Sequence, residues 1–501
     1  MTVSSISGTS AAMIQSLLNL RGQLNDLTTQ LSTGKKSTTY AGLGVQRGVS
    51  VSLNSQLSAI GGYDTTGASV MTRINVANTA LNSMSTVVSN VKSAMSQGTN
   101  VSGIGGASQT QTTAQASLDT LMGLLNTQAG DRYLFGGKVT DQPPVESSDH
   151  ILNGDGTRAG LVQLVSERKQ ADLGASGLGR LAVTNPTLSS LDIAEDAVSP
   201  FGFKLASVSS NLTNATVNGP AGSPADLSID LGSGNPNDGD SLTLRLNLPD
   251  GTTSSVTLTA TTASPAGPNQ FTIGATPSDT TASLTTALTS ALTTLGSTDL
   301  TAASAVQASN EFFAADANTP PQRVDGPPFD TATALKNGSA SDTVIWYTGD
   351  SDSDPARSTA TAQIDPSLSV GYGVRANEQG LRAMVQNIAT LAAVSISTTN
   401  PNGVDLSQQL NTRVATGLAG QPGDQTVTDI STDLANAQIS ITAATTRHQQ
   451  QTSTLQGYLD QIQGVSEEEV GTQILTLQTR LQASMQVTAM MYQTSLVNYM
   501  P

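Results

Sequence analysis

At 501 residues the chain is long enough for about three ordinary domains, yet aromatic residues make up only 3% of it and charged residues 12%, so a compact, aromatic-rich core is not expected. The net charge of -16 is uneven: residues 1–99 hold six Lys/Arg against two Asp/Glu, residues 430–501 hold two against five, and the stretch between carries the remaining acidity. This distribution excludes a nucleic-acid binder, which needs a basic stripe with stacking aromatics. The absence of cysteine excludes disulfide and thiol chemistry and fits a chain exported without being trapped by oxidation.

The first twelve residues are Ser/Thr-rich and uncharged, and no run of about 18 apolar residues occurs anywhere, so neither a cleaved leader nor membrane insertion is expected. A helix is predicted over 10–31, where Met13, Leu17, Leu20, Leu24, Leu27 and Leu31 follow at alternating steps of four and three, the seam of a helix facing a partner helix. Gly34 and a loop holding Tyr40, Gly42 and Gly44 interrupt it. Helix resumes over 49–60 and 65–95, and there Val70, Ile74, Ala77, Leu81, Met84, Val88, Val91 and Met95 fill every seam slot over about 39 Å. A Gly-rich gap at 98–106 precedes a helix over 109–127. The chain then enters Tyr133-Leu134-Phe135-Gly136-Gly137, extended by its aromatics, stopped by its glycines and closed by Pro143-Pro144.

From about 145 to 375 the helical beat gives way to alternation, prolines and Gly-containing turns. Leu242, Leu244, Leu246 and Leu248 alternate with polar residues, Asp250-Gly251 turns the chain, and Val256, Leu258 and Ala260 return, which predicts a hairpin. A short helix is predicted over 283–295. Helical spacing returns with Leu381, Met384, Val385, Ile388, Leu391 and Val394, and a long seam follows: Ile430, Leu434, Ala437, Ile441, Ala444, His448, Gln451, Leu455, Tyr458, Ile462 and Val465. The last seam comprises Ile474, Leu477, Leu481, Met485, Tyr492, Leu496 and Tyr499. Seven-residue repeats held this long imply left-handed supercoiling. The expected fold is therefore α+β: an elongated antiparallel helical coiled-coil stem built from residues 1–140 and 376–501, with an acidic β-containing outer region inserted at 141–375. Opposite charge bias at the two ends favours their lying side by side.

Catalytic scaffolds are not evident. His150 and His448 stand alone, without metal-ligand or triad spacing. Gly42-Leu43-Gly44 and Gly103-Ile104-Gly105-Gly106 lack the strand-before, helix-after context and the Lys of a phosphate loop and read as hinges. Asp350, Asp352 and Asp354 have the spacing that opens a calcium loop, but Pro355 and Thr361 occupy the positions of its glycine and bidentate Glu, so a solvated acidic turn is the simpler expectation. No enzyme activity, metal or cofactor is expected. His448, at a seam slot, is expected to be a packing residue.

The helical termini, the Tyr133–Gly137 element followed by Thr140-Asp141 and Pro143-Pro144, and the closing Leu481-Gln482-Ala483-Ser484 and Ser495-Leu496-Val497-Asn498-Tyr499-Met500 resemble the bacterial flagellin superfamily, and within it the hook-filament junction branch. Residues 1 to about 140 and 375–501 carry the resemblance. The loop at 34–42 keeps the family's Gly-basic start without its Asn/Asp-rich continuation, and the large middle insertion is more usual in filament flagellins. What the resemblance implies is structural work for motility. The chain would be exported unfolded through the flagellar type III channel with an export chaperone, and would assemble outside the cell with copies of itself, a neighbouring hook-associated protein and flagellin. A filament-forming flagellin is the alternative, and a secreted adhesin a third. The assembly seam would comprise Leu17, Leu20, Leu24, Leu27, Leu31, Ile74, Leu81, Val88, Val91, Leu434, Ile441, Leu455, Ile462, Leu477, Leu481 and Leu496.

Overall fold

A computed structural model of the chain describes residues 3–97, 108–316, 318–396 and 400–497. The Gly-rich gap at 98–106 and Tyr499 therefore fall outside the described residues. In chain order the elements are α1 (Val3–Thr33), α2 (Arg47–Gln97), α3 (Gln109–Leu125), β1 (Gln128–Ala129), β2 (Arg132–Tyr133), α4 (Ser148–Asn153) and α5 (Leu161–Leu173). Eight strands come next: β3 (Leu181–Thr184), β4 (Ser190–Glu195), β5 (Lys204–Ser210), β6 (Thr216–Gly222), β7 (Ala225–Asp230), β8 (Ser241–Asn247), β9 (Thr253–Thr261) and β10 (Gln270–Thr272). The chain continues through α6 (Pro277–Leu295), α7 (Thr301–Phe313), β11 (Gln322–Val324), β12 (Leu335–Asn337), β13 (Thr361–Asp365) and β14 (Leu368–Gly371). It ends with α8 (Gln379–Ala393), α9 (Gly403–Ala419), α10 (Val427–Gln463) and α11 (Glu467–Val497). The fold class is α+β.

Two compact units divide the chain: Met1–Ser69, Ala362–Val370 and Ile439–Pro501 form the first, and Val70–Thr361 with Gly371–Gln438 the second. The three-segment division expected from periodicity places residues 70–140 and 376–438 in the stem, whereas here they belong to the second unit. The physical reason is visible in α8. Leu381, Val385, Ile388 and Ala389 have no exposed surface, and every residue from Asn387 to Ala393 is buried. That is a core helix enclosed on all sides rather than one strand of a thin seam.

The first unit is helical. Helices α1 and α11 run antiparallel, and their bases are tied by main-chain bonds: Lys36 N–H donates to Gln463 O at 2.6 Å and Val465 N–H to Gly34 O at 3.1 Å. Gly34 ends α1 at φ +65°, the left-handed cap conformation that costs glycine nothing. The break expected between residues 60 and 65 is absent, because Gly61 and Gly62 face solvent while Leu57, Ile60, Tyr63 and Gly67 carry the packed side of α2 through them.

The second unit holds two four-stranded sheets, ordered β3-β4-β7-β6 and β10-β9-β8-β5. The predicted hairpin is β8–β9, in which Leu244 faces Val256 and Leu242 faces Leu258. Their inward leucines meet Leu191, Ile193, Leu227 and Ile229 of the other sheet and Leu284, Leu288 and Leu292 of α6 in one core. Helix α6 is longer than predicted, starting at a Thr276–Asp279 capping box and continuing through a π turn at Gly296–Leu300 into α7. The helices α3, α5, α7, α8 and α9 pack on one another in the same unit. The buried aromatics are spread through this unit: Phe135, Phe201, Phe203, Phe271, Phe312, Phe313, Trp346 and Tyr347 are all fully buried, and only Phe203 and Phe271 lie in the leucine-rich core between the sheets and α6. Phe312, Phe313, Trp346 and Tyr347 form a chain of ring contacts.

Candidate functional site: the terminal helix pair

The predicted seam residues separate into two settings. Ile74, Leu81 and Val91 of α2 and Leu434 of α10 are buried in the second unit, with Val88 half-buried beside them. Ile441 is buried in the first unit, and Leu455 and Ile462 are half-buried there. Leu17, Leu20, Leu24 and Leu27 of α1, and Leu477 and Leu481 of α11, are half-buried, so the pairing of two helices covers each of them only in part. Leu496 falls within α11, but its side chain lies outside the described residues.

Two-helix packing selects its own seam, and it departs from the predicted one in three places. On α1 the half-buried residue after Leu27 is Gln30, while Leu31 is exposed. On α11 the inward positions are Val470, Ile474, Leu477, Leu481, Ser484, Thr488 and Met491, leaving Met485 and Tyr492 outside. On α10 the order His448, Thr452, Leu455, Leu459 replaces His448, Gln451, Leu455, Tyr458, so Gln451 and Tyr458 are exposed. Two successive steps of four between Ala444 and Thr452 are a stutter, which locally unwinds a coiled coil and resets its register.

What remains uncovered is apolar. Ile14, Leu18 (58% exposed) and Leu31 on α1, with Leu475 (66%), Met485, Val487, Met490 (58%) and Tyr492 on α11, point away from the pair. Among the described residues, α1 buries no side chain and α11 buries only Val470. A groove of about 570 Å³ runs between the helices, edged by Asp26, Leu27, Glu469, Leu477 and Arg480. Apolar side chains in this number on an exposed antiparallel pair form the surface of a partner-seeking element.

Elsewhere in the first unit His448 is 2% exposed, as a packing residue would be, but its ring nitrogens also face two carboxylates. Its Nδ1 is 2.7 Å from Asp64 Oδ1 and its Nε2 3.6 Å from Asp365 Oδ2, the latter carboxylate also accepting from Arg447 at 3.0 Å. The Arg447 hydrogen bond, helped by the nearby His448, holds Asp365 below the ordinary carboxylate range. Nothing in the spacing of Asp64, Asp365 and His448 signals this triplet, because its members come from three segments far apart in the chain.

The acidic turn is exposed at Asp352 and Asp354, as a solvated turn would be, and it is also paired with cations of the chain. Lys138 Nζ reaches both Asp352 at 2.9 Å and Asp354 at 2.7 Å, while the Asp350 carboxylate accepts from the Lys138 main-chain N–H. Arg375 donates to the carbonyls of Asp352 and Asp354. Lys138 and Arg375 thus hold the turn from within the chain, and among the described residues no cluster of three or more His, Asp or Glu side chains has metal-holding geometry.

Residues 5–140, running from α1 through the Tyr133–Gly137 element, match the family model of the bacterial flagellin N-terminal helical region. The matched stretch is 136 of the chain's 501 residues. No curated protein matches the chain. The flagellin match supports a structural, self-assembling flagellar subunit over an enzyme. No helix among the described residues is long and apolar enough to cross a membrane.

Proposed function

We propose that this chain is a structural subunit of the bacterial flagellum that joins hook to filament, assembling outside the cell through its terminal helices with copies of itself and with a neighbouring hook-associated protein and flagellin. The observation that carries the reading is the α1–α11 pair, whose apolar residues are too many for two helices to cover. A two-helix arm with a half-buried seam is marginal alone and gains its missing burial when a neighbour supplies the other half. The same looseness suits a chain held unfolded by an export chaperone and passed through the type III channel. A filament-forming flagellin is the second reading, favoured by the size of the β-containing second unit.

Aspartate at Leu18 and Met490 tests the assembly role. Both side chains are more than half exposed, so the monomer should lose no more than about 0.5 kcal/mol of stability, while incorporation into flagella should fail. Normal motility in that strain would sink the proposal. Leu81, by contrast, has no exposed surface, and Asp there would report folding of the second unit instead. Counting copies per flagellum separates the two readings: a single ring of subunits fits the junction, and a chain distributed along the whole filament fits the alternative.

A further inference from the structure

The second unit contains a cavity to which neither the terminal helices nor the flagellin match gives a role. It measures about 40 Å³ and is walled by Ile74, Leu134 and Val374. That is room for a carboxylate head, and far too little for an organic ligand, whose pockets begin near 300 Å³.

Five polar side chains also line it: Arg73 from α2, Arg132 and Tyr133 from β2, Thr140, and Tyr372 just after β14. Arg73 Nη1 donates to the Tyr372 hydroxyl oxygen at 3.0 Å. A phenol that accepts in this way keeps its own hydrogen for another acceptor. No described carboxylate pairs with Arg73 or Arg132, although the nearby Lys138 is fully engaged by Asp352 and Asp354. Two guanidinium forks and one free hydroxyl hydrogen around an apolar-walled space suit a planar anion, and low polarity in the wall strengthens its attraction.

We propose that this cavity is a carboxylate receptor, and that its occupant is an Asp or Glu side chain from a second copy of this chain. Charge complementarity selects that occupant. Each copy carries 38 Asp/Glu against 22 Lys/Arg, with the cationic surplus confined to the first hundred residues, where Arg73 lies. A surface acid on one copy therefore finds in this cavity a cationic site that the copy's own carboxylates leave open. The choice of occupant rests on the self-assembly proposed above.

The test uses the full-length chain, with the critical concentration for assembly measured by sedimentation. R73Q/R132Q should raise that concentration about tenfold, equivalent to about 1.4 kcal/mol, and Tyr372→Phe should raise it less. Acetate replacing chloride at equal ionic strength should raise it for the unmodified chain and leave R73Q/R132Q unaffected. Circular dichroism establishes that the variants are folded. Arg132→Lys, at an exposed position that keeps its charge but loses the fork, should fall between the two and guards against misfolding of the double variant. A folded R73Q/R132Q that assembles at the unmodified concentration overturns the proposal. If acetate moves the Arg73 and Arg132 side-chain NMR signals of the monomer while that double variant assembles normally, the cavity takes free carboxylate and the second-copy occupant is refuted. An unmodified chain that never assembles counts against the structural reading itself, and the monomer titration then judges the cavity alone, with unmoved arginine signals overturning it.

Discussion

At Asp365 the packing of single side chains becomes a dependence on pH. The folded chain holds this carboxyl more acidic than an unfolded chain would, where it titrates near about 3.9. Its contribution is therefore complete above that value and disappears as pH falls through the lower folded-state value. Asp429, bonded by the Thr426 main chain, and Asp240, bonded by the Thr213 and Asn237 main chains, are displaced the same way. Thermal midpoints should thus stay flat from neutral pH down to about 5 and drop only below about 4. Arg447→Met removes the main cause at Asp365, so it should lower the neutral-pH midpoint of the first unit and make its acid drop shallower; an unchanged acid limb would refute this assignment. Sequence shows the Arg447-His448 dipeptide but not its partners. Contacts such as His448 with Asp64 are made across 384 positions and leave no local pattern to read.

Single elements were more legible, because hydrophobic period is a local signal that survives folding. The β8–β9 hairpin lies where leucine alternation and Asp250-Gly251 place it, and α1, α3 and α11 occupy their predicted stretches to within a few residues, apart from the start of α1. Orientation was less legible: a seven-residue pattern on α10 admits two continuations after His448, and apolar Tyr458 favours the wrong one. Packing chose Thr452 and Leu459, since a helix face is decided by what it meets and not by which residue is most apolar. The assigned face predicts opposite results at adjacent positions. Thr452→Leu should stabilise the first unit by about 0.5–2 kcal/mol by filling a half-buried seam slot, whereas Gln451→Leu should change it by less than about 0.5 kcal/mol. Denaturant unfolding of the two variants measures both, and the reverse ranking would restore the unbroken heptad.

Across the whole molecule, the α+β class and the helical character of both ends could be read from sequence, but the partition into units could not. Residues 376–438 continue the helical periodicity of the C-terminus and so look like stem, yet α8 and α9 complete the core of the second unit. Helix periodicity alone does not distinguish a stem from a bundle when both bury a stripe. The division has a consequence for proteolysis. Limited digestion of the free monomer should remove α1 and α11 first, because among their described residues only Val470 is buried, and leave a resistant product close to 47–463, which keeps α2 and α10 whole. Mass spectrometry of the fragments checks this, and early cleavage within the sheets would contradict it.

Trp346 is the chain's single tryptophan, has no exposed surface, and donates its indole N–H to Phe313 O at 3.1 Å in the second unit. The first unit has no indole; its described tyrosines are Tyr40, Tyr63, Tyr458 and Tyr492. Light absorbed at the red edge of the aromatic band is therefore emitted from one unit alone, while the far-ultraviolet helix signal weighs both. A native chain without any label thus has two separate optical channels, and a disagreement between them during melting would time the loss of one unit against the other.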